Sequence, residues 1–476
     1  MNDACDLNFL KRKGISLIHA SRGRHLHKHD FLRRYLFNVA DSGEDMTFIE
    51  NIPAVVRILV VFFIILAALR VKIGLGNAFM GGAFLLGVIF GLDLPAIFVS
   101  AFFSLIHPKT LSLSVVVTLI LILSHSMESA GQMKRLLDSY QGLVRNPKTN
   151  LIMFPALIGL LPMPGGAIFS APMVKSLGHP YRLTGAQLSF VNYWFRHIWE
   201  YWWPLYPGVL LATGLAGVDL WTFVLLLFPM TLIAITAGFS VLKGVFYINA
   251  PAEMYEVRKQ IRPFLQELIP VLIVIILGLG LGTLLTPFFK NHGLTIAKES
   301  GLILSLTIAI FWVWRKNHTA APDRWHTLRR PDIYRMFYMV SAILVFQGIL
   351  KDSHAVSAVS RELIAWRFPI VPMCIILPGL VGFVGGITIA FVGTTFPILI
   401  SLIQSLGQTD TVIPYMMLAM TGGFMGVLLS PLHLCLLLSN AYFQTSLMKV
   451  YRYLWLPCAG MLGTSLGYFW LLKKIF

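Results

Sequence analysis

Acidic residues are scarce in this sequence. Asp and Glu number 21 against 38 Lys and Arg in 476 residues, and all charged residues together make up 12% of the chain. Cysteine is equally sparse: Cys5, Cys374, Cys435 and Cys458 show no paired spacing, which argues against a disulfide framework or a zinc site. No HExxH occurs, so the usual metalloprotease ligand pair is missing. Residues 1–45 lack the apolar h-region of about 7–15 residues that a signal peptide needs.

What is abundant is apolar sequence. Hydrophobic residues make up 57% of the chain, and the mean hydropathy is +0.74. A membrane-spanning helix needs roughly 20 predominantly apolar residues, and such runs recur. Ten are expected, near 53–69, 74–91, 110–129, 187–213, 220–242, 264–288, 298–314, 336–350, 412–440 and 453–472. The formal charge of +17 does not point to nucleic acid, because the basic residues occupy short loops between the apolar runs. One set of loops holds 20 Lys and Arg and the other 8, which places the first set in the cytoplasm of a cell (inner or plasma) membrane.

Residues 1–45 differ from the rest, with eight Lys/Arg, six Asp/Glu and four His. This polar, basic extension reads as disordered or not translated, with Met46 as the true start. His25, His27 and His29 alternate within it. In a polar tail such a pattern is more often solvated than metal-binding.

Two further apolar stretches, about 150–177 and 370–402, are dense in Gly and Pro. The charge count puts both ends of the first on the cytoplasmic side and both ends of the second outside, so each is expected to be a re-entrant helical hairpin. "PMPGG" and "GITIAFVGTT" are the expected tips. The alternative is tightly packed ordinary spans, since Gly382–Gly386 and Gly422–Gly426 have GxxxG spacing. Pro172 and Pro397 lie 225 residues apart, and Pro204 and Pro431 lie 227 apart. An amphipathic stretch precedes each hairpin, at 133–144 and 357–368. The sequence therefore predicts an all-α polytopic membrane protein of about ten transmembrane helices in two inverted repeats, 46–242 and 243–476. Inverted repeats with broken helices at the midplane are a transporter architecture.

Taken together, "LLPMPGGAIFSAPMV" and "NYWFRHIWEYWWPLYPG" resemble the integral membrane family named domain of unknown function 401. More broadly, residues 46–476 resemble the ion-transporter superfamily of citrate, dicarboxylate, gluconate and arsenite permeases. That resemblance implies two hairpins meeting at a central site, two broken helices, an elevator-type movement and a homodimer. The dicarboxylate branch carries Ser-Asn-Thr motifs at its hairpin tips. Here the tips offer Gly165 and Gly166 in one and Thr394 and Thr395 in the other, which argues against di- or tricarboxylate specificity.

The segment 192–208 poses the sharpest question. An ionisable side chain near a bilayer midplane costs about 2.5–3.5 kcal/mol on insertion scales, yet Arg196, His197 and Glu200 fall within five positions. The helix is expected to break just beyond them, at Pro204 and Pro207. Arg196 and Glu200, four apart, form either a structural pair on one helix face or a functional set. In the functional reading Arg196 anchors a small anionic solute, with Asn192, His197, Gly165, Gly166, Thr394, Thr395, Ser430 and His433 around it. Glu200 and His197 then carry a coupling proton or sodium ion. The expected partners are that anion and membrane lipid, with no cofactor, no resident metal and no enzymatic activity. The rival is a membrane-embedded metal-dependent enzyme using His197 and Glu200 as HxxE ligands, or else a channel or structural membrane protein. Trp199, Trp202 and Trp203 line the site or simply pack. Asn77, Gln347 and Asn440 are expected to bond between helices, and Glu128 to reach water.

Overall fold

The computed structural model describes residues 51–476, apart from 142, 145, 164–165, 247–260 and 292–295. The basic extension 1–45, its histidines and Met46 lie outside the described residues. Every regular element among the described residues is helical. Among the described residues, seven helical stretches are long and apolar enough to cross a membrane: Pro108–Ser129, Leu220–Leu242, Ile261–Thr286, Ala297–Lys316, Ala321–Asp352, Thr388–Ser405 and Val412–Tyr442. Large apolar side chains such as Phe63, Leu225, Ile276, Phe311 and Trp455 face outward. In water such a surface would aggregate; against lipid it is at rest. The chain is a multi-pass membrane protein.

In chain order α1 (Ala54–Arg70) and α2 (Leu75–Ile89) lead to α3 (Leu94–Ile106) and α4 (Pro108–Ser129). Asp93 caps α3 by accepting from the Ala96 amide at 2.9 Å. Helix α3 falls between two of the ten expected spans: at 13 residues it is too short to stand out as a spanning run. The amphipathic α5 (Gln132–Gln141) precedes the first hairpin, α6 (Pro147–Gly159) with α7 (Ala167–Gly178). A broken helix follows as α8 (Gly185–Trp194) and α9 (Pro207–Ala216), then α10 (Leu220–Leu227) and α11 (Pro229–Phe246).

The second part runs α12 (Ile261–Asn291), α13 (Ala297–Lys316), α14 (Ala321–Leu328) and α15 (Pro331–Asp352). The amphipathic α16 (Ala355–Ala365) then precedes a second hairpin, α17 (Ile370–Gly385) with α18 (Thr388–Ser405). A second broken helix, α19 (Val412–Leu429) and α20 (Leu434–Tyr442), leads into α21 (Leu447–Ile475). Both Gly/Pro-rich stretches are thus helical hairpins whose two legs pack together. Proline opens α4, α9 and α15, where its missing amide is one the helix would leave unpaired anyway.

The two parts interlock. Helix α4 packs on α13 while α15 packs on α2, and α5 packs on α12 while α16 packs on α1. Helix α9 lies against α18, and α20 lies against α7. Where α4 meets α15, the hydroxyls of Ser114 and Ser341 hydrogen-bond at 3.0 Å. At the start of α1, Glu362 of α16 accepts from the Ala54 and Val55 amides, capping orphan donors. Tyr338 donates to Asn77 at 2.9 Å, an interhelical bond of the kind expected of that asparagine.

The second hairpin is held against its broken helix backbone to backbone. A Cβ on Gly426 would sit 2.0 Å from the Gly379 carbonyl oxygen, and one on Gly382 would sit 2.2 Å from that of Gly423. The GxxxG spacing of Gly422 and Gly426 therefore serves close helix contact. Gly386 serves a different purpose, turning the hairpin tip at φ +64°. Gly426→Ala should destabilise the protein by about 1–3 kcal/mol, because the obstacle is backbone and cannot swing away. Gly460→Ala, where nothing lies within 4 Å, should leave the detergent unfolding midpoint unchanged or slightly raised. Equal midpoints for the two variants would contradict this packing.

Candidate functional site

Helix α8 starts on a capping box in which Thr184 and Gln187 satisfy each other's backbone. It ends early. The backbone tightens into a 3-10 turn at Phe195–His197, and residues 198–206 are irregular until Pro207 opens α9. The break therefore contains the charged residues instead of following them. An Arg196–Glu200 pair on one helix face needs a continuing helix, and none exists there. No ion pair links the two; Glu200 bonds elsewhere.

Arg196 reaches the first hairpin tip. One terminal nitrogen donates to the Met163 carbonyl at 2.6 Å. The guanidinium lies against Gly166, where a Cβ would stand 2.6 Å from Nη2 and 2.9 Å from Cζ. Arg196 is 3% exposed, yet Nε and Nη1 have no hydrogen-bond partner among the described residues. A buried charged donor without a partner is expensive, so this fork is shaped for an acceptor. Gly165 lies outside the described residues.

Glu200 reaches the second hairpin tip. Thr388, the first residue of α18, donates its hydroxyl to Oε2 at 3.1 Å. The other oxygen lies 3.7 Å from His197 Nε2. His433, in the second break, stands 3.2 Å from the same nitrogen through its own Nε2. Nδ1 of His433 faces the Gly386 carbonyl at 3.0 Å, and Nδ1 of His197 faces the Tyr193 carbonyl at 2.6 Å. Both breaks and both tips thus converge on four side chains.

Other expected site residues are placed differently. Asn192 is fully engaged: it donates to the Ala167 carbonyl and to Ser439, each at 2.9 Å, and accepts from Ser170 at 2.6 Å. It ties α8 to α7 and α20 and offers nothing to a solute. Thr394 and Thr395 are not at a tip. The turn is Gly386–Ile387, and the two hydroxyls, well inside α18, bond to the carbonyls of Ala390 and Phe391 one turn earlier. Ser430 is buried in the second break and accepts from the Leu432 amide at 3.2 Å. Asn440 accepts from Ser189 at 2.6 Å, an interhelical bond as expected. Thr388 and Cys435 are the residues that sequence reasoning passed over. For Cys435 the signal was its spacing of two from His433.

The aromatic cluster does not line the site. The last carbonyls of α6 have no following helical turn to pair with, and the broken segment supplies donors to three carbonyls at that end. Trp199 donates to Ala156 at 2.8 Å, Trp203 to Leu160 at 2.8 Å and Tyr206 to Gly159 at 2.6 Å. Trp202 instead donates to Thr231, which donates in turn to the Ile198 carbonyl. The end of α19 is treated alike, with Tyr193 on the Leu428 carbonyl and Tyr451 on that of Leu429. Elsewhere, a cavity of about 590 Å³ runs beside α4 and α9, lined by Leu113, Val116, Leu210 and Thr213, with Lys109, Asp219, Lys298 and Glu299 at its polar end.

Tyr206→Phe keeps the ring and removes one hydroxyl, leaving the Gly159 carbonyl unsatisfied. Stability should fall by about 1–3 kcal/mol, read as a lower detergent unfolding midpoint. Tyr334→Phe, at an exposed position, should not move it. If both behave alike, the aromatic donors are not capping the hairpin.

The profile of a family described as a protein of unknown function (DUF401) matches residues 54–472. No curated protein matches the chain.

Proposed function

The chain belongs to the DUF401 family, and from that premise we propose that it is a secondary active transporter of a small anionic solute. One observation carries the reading: Arg196 is buried, with Nε and Nη1 unpartnered among the described residues, where a helix break meets a hairpin tip. A guanidinium fork in that state matches a carboxylate or oxyanion, and a charge-assisted bond satisfies both sides. The chemistry needs no bond-breaking group, so the protein is a carrier and not an enzyme.

The proposed architecture is two inverted repeats, 46–242 and 243–476, each with a re-entrant hairpin, in about ten membrane crossings. The order of elements supports it. Each part has two helices, a short helix, a long helix, an amphipathic helix, a hairpin and a broken helix, with reciprocal contacts between the parts. The Lys/Arg bias of 20 against 8 supports a cell inner or plasma membrane. Arg196, His197, Glu200 and His433 are all buried, which suits alternating access better than a standing pore. Movement is of the elevator type, in a homodimer, coupled to H+ or Na+ through Glu200 and His197.

A thermal-shift screen of organic and inorganic anions should find one that raises the midpoint, since a ligand that binds only the folded state stabilises it. Arg196→Ala should abolish that shift and weaken the half-saturation of proteoliposome uptake by at least ~10-fold. The unliganded midpoint should change little, because the Met163 carbonyl keeps its bond from the Gly166 amide at 3.2 Å. Undiminished uptake in Arg196→Ala would remove the anion from this site. The topology has its own test. Single cysteines at Lys175 and Gln404, both exposed, in a background without the native four, should label from opposite faces with an impermeant thiol reagent. Labelling from one face would end the inverted-repeat reading.

A further inference from the structure

The pair His197–His433 has an unusual donor account. A carbonyl oxygen can only accept, so the nitrogens facing the Tyr193 and Gly386 carbonyls must carry the hydrogens. In the neutral rings both Nε2 atoms then present lone pairs to each other at 3.2 Å. Two lone pairs at that distance repel unless a cation or a proton lies between them. Cys435 completes a group: its Sγ and the nitrogens of both histidines all lie within 4.8 Å of one another. The Glu200 carboxylate borders it, 3.7 Å from His197 Nε2.

We propose that His197, His433 and Cys435, with Glu200 as fourth ligand, form a site for a borderline transition-metal divalent cation of the Zn2+ type. The spacing fits. Two nitrogens about 2.0–2.1 Å from one zinc at a tetrahedral angle stand about 3.3 Å apart. The support shell fits as well, because imidazoles that bind metal characteristically donate their other N–H to a carbonyl or carboxylate, and both do so here. The donor set of imidazole, thiolate and carboxylate selects Zn2+ and its neighbours over Mg2+ or Ca2+, which prefer oxygen. An ion held there joins the first break, which carries His197 and Glu200, to the second, which carries His433 and Cys435. It also fixes the second hairpin through Gly386. Any rearrangement that separates the two breaks must release it.

The inference does not rest on the transport reading, and its test needs no transported anion. The full-length chain, without a polyhistidine tag, carries Cys5→Ser, His19→Asn, His25→Asn, His27→Asn and His29→Asn so that no thiol or imidazole of the extension can bind metal. Stripped with chelator and given Co2+, it should retain one equivalent through desalting. It should show tetrahedral visible bands and a thiolate-to-cobalt charge-transfer band, and Zn2+ should erase both. Cys435→Ser should lose the charge-transfer band, and His433→Gln should weaken Co2+ binding at least ~10-fold. Cys374→Ser and Cys458→Ser should change nothing. Should Cys435→Ser fail to fold, the thiolate band of the parent chain in the Cys374→Ser, Cys458→Ser background still decides, since Cys435 is then the sole thiol. No retained Co2+, or a thiolate-free spectrum, would overturn the site and leave a histidine pair sharing a proton.

Discussion

A polar backbone group at membrane depth has no water to turn to, and the centre of this protein is organised around that fact. A helix satisfies its own amides and carbonyls only while it continues. Here α8 stops at Trp194 and α19 at Leu429, and two hairpins end in turns nearby. Each stop frees carbonyls. The residues that answer them are large aromatic donors and histidines: Trp199, Trp203 and Tyr206 for the first hairpin, Tyr193 and Tyr451 for α19, His433 for the second tip. The dense aromatic run at 199–206 is therefore backbone repair. Indole and phenol groups suit this role, since each brings one donor on an otherwise apolar body.

With the carbonyls satisfied by neighbours, the charged groups are left free for other chemistry. Arg196 spends one nitrogen on Met163 and keeps two positions open. Glu200 holds Thr388. The two charges sit on one short segment but point to different hairpins, so neither neutralises the other by contact. Close helix contact through Gly379, Gly382, Gly422 and Gly426 brings the second tip near enough to take part. Larger side chains there would hold α17 away from α19 and move Gly386 and Thr388 from their partners.

Much of this was legible in the sequence, for specific reasons. Apolar runs interrupted by Pro and Gly marked the two broken helices and both hairpins. The GxxxG spacing at Gly422 and Gly426 marked a close contact, and ionisable residues in an apolar run marked Arg196, His197 and Glu200. The failures were local. The sequence points to a break at Pro204 and Pro207, whereas the helix already tightens at Phe195, where the His197 ring takes the Tyr193 carbonyl that a continuing helix would pair with its own backbone. Thr394 and Thr395 stood out as polar, but a hydroxyl in a membrane helix can bond to its own preceding turn and leave no outward sign. The tip is set by the positive φ of Gly386, which sequence spacing alone does not distinguish from the adjacent Gly385. Cys435 looked like one more buried thiol. Only folding brings it beside His197, 238 positions earlier in the chain.

The same few bonds also limit how the centre can move. Arg196 binds the first break to the first hairpin, Glu200 binds it to the second, and His197 with His433 binds break to break. Glu200 and His197 are three residues apart in an irregular segment, so a displacement of one carries the other. Were the second hairpin to withdraw, Thr388 would leave Glu200 and Gly386 would leave His433 in a single step. A carboxylate and an imidazole would then lose their partners together. A buried carboxylate without a donor must find a cation, a proton or water. The geometry thereby links the state of Glu200 and of the histidine pair to the position of the second hairpin, while Arg196 on the opposite tip keeps its open donors. Arg196 and Glu200 reach different hairpins through one twelve-residue break, residues 195–206, and that shared segment is the physical route by which the state of one can depend on the other.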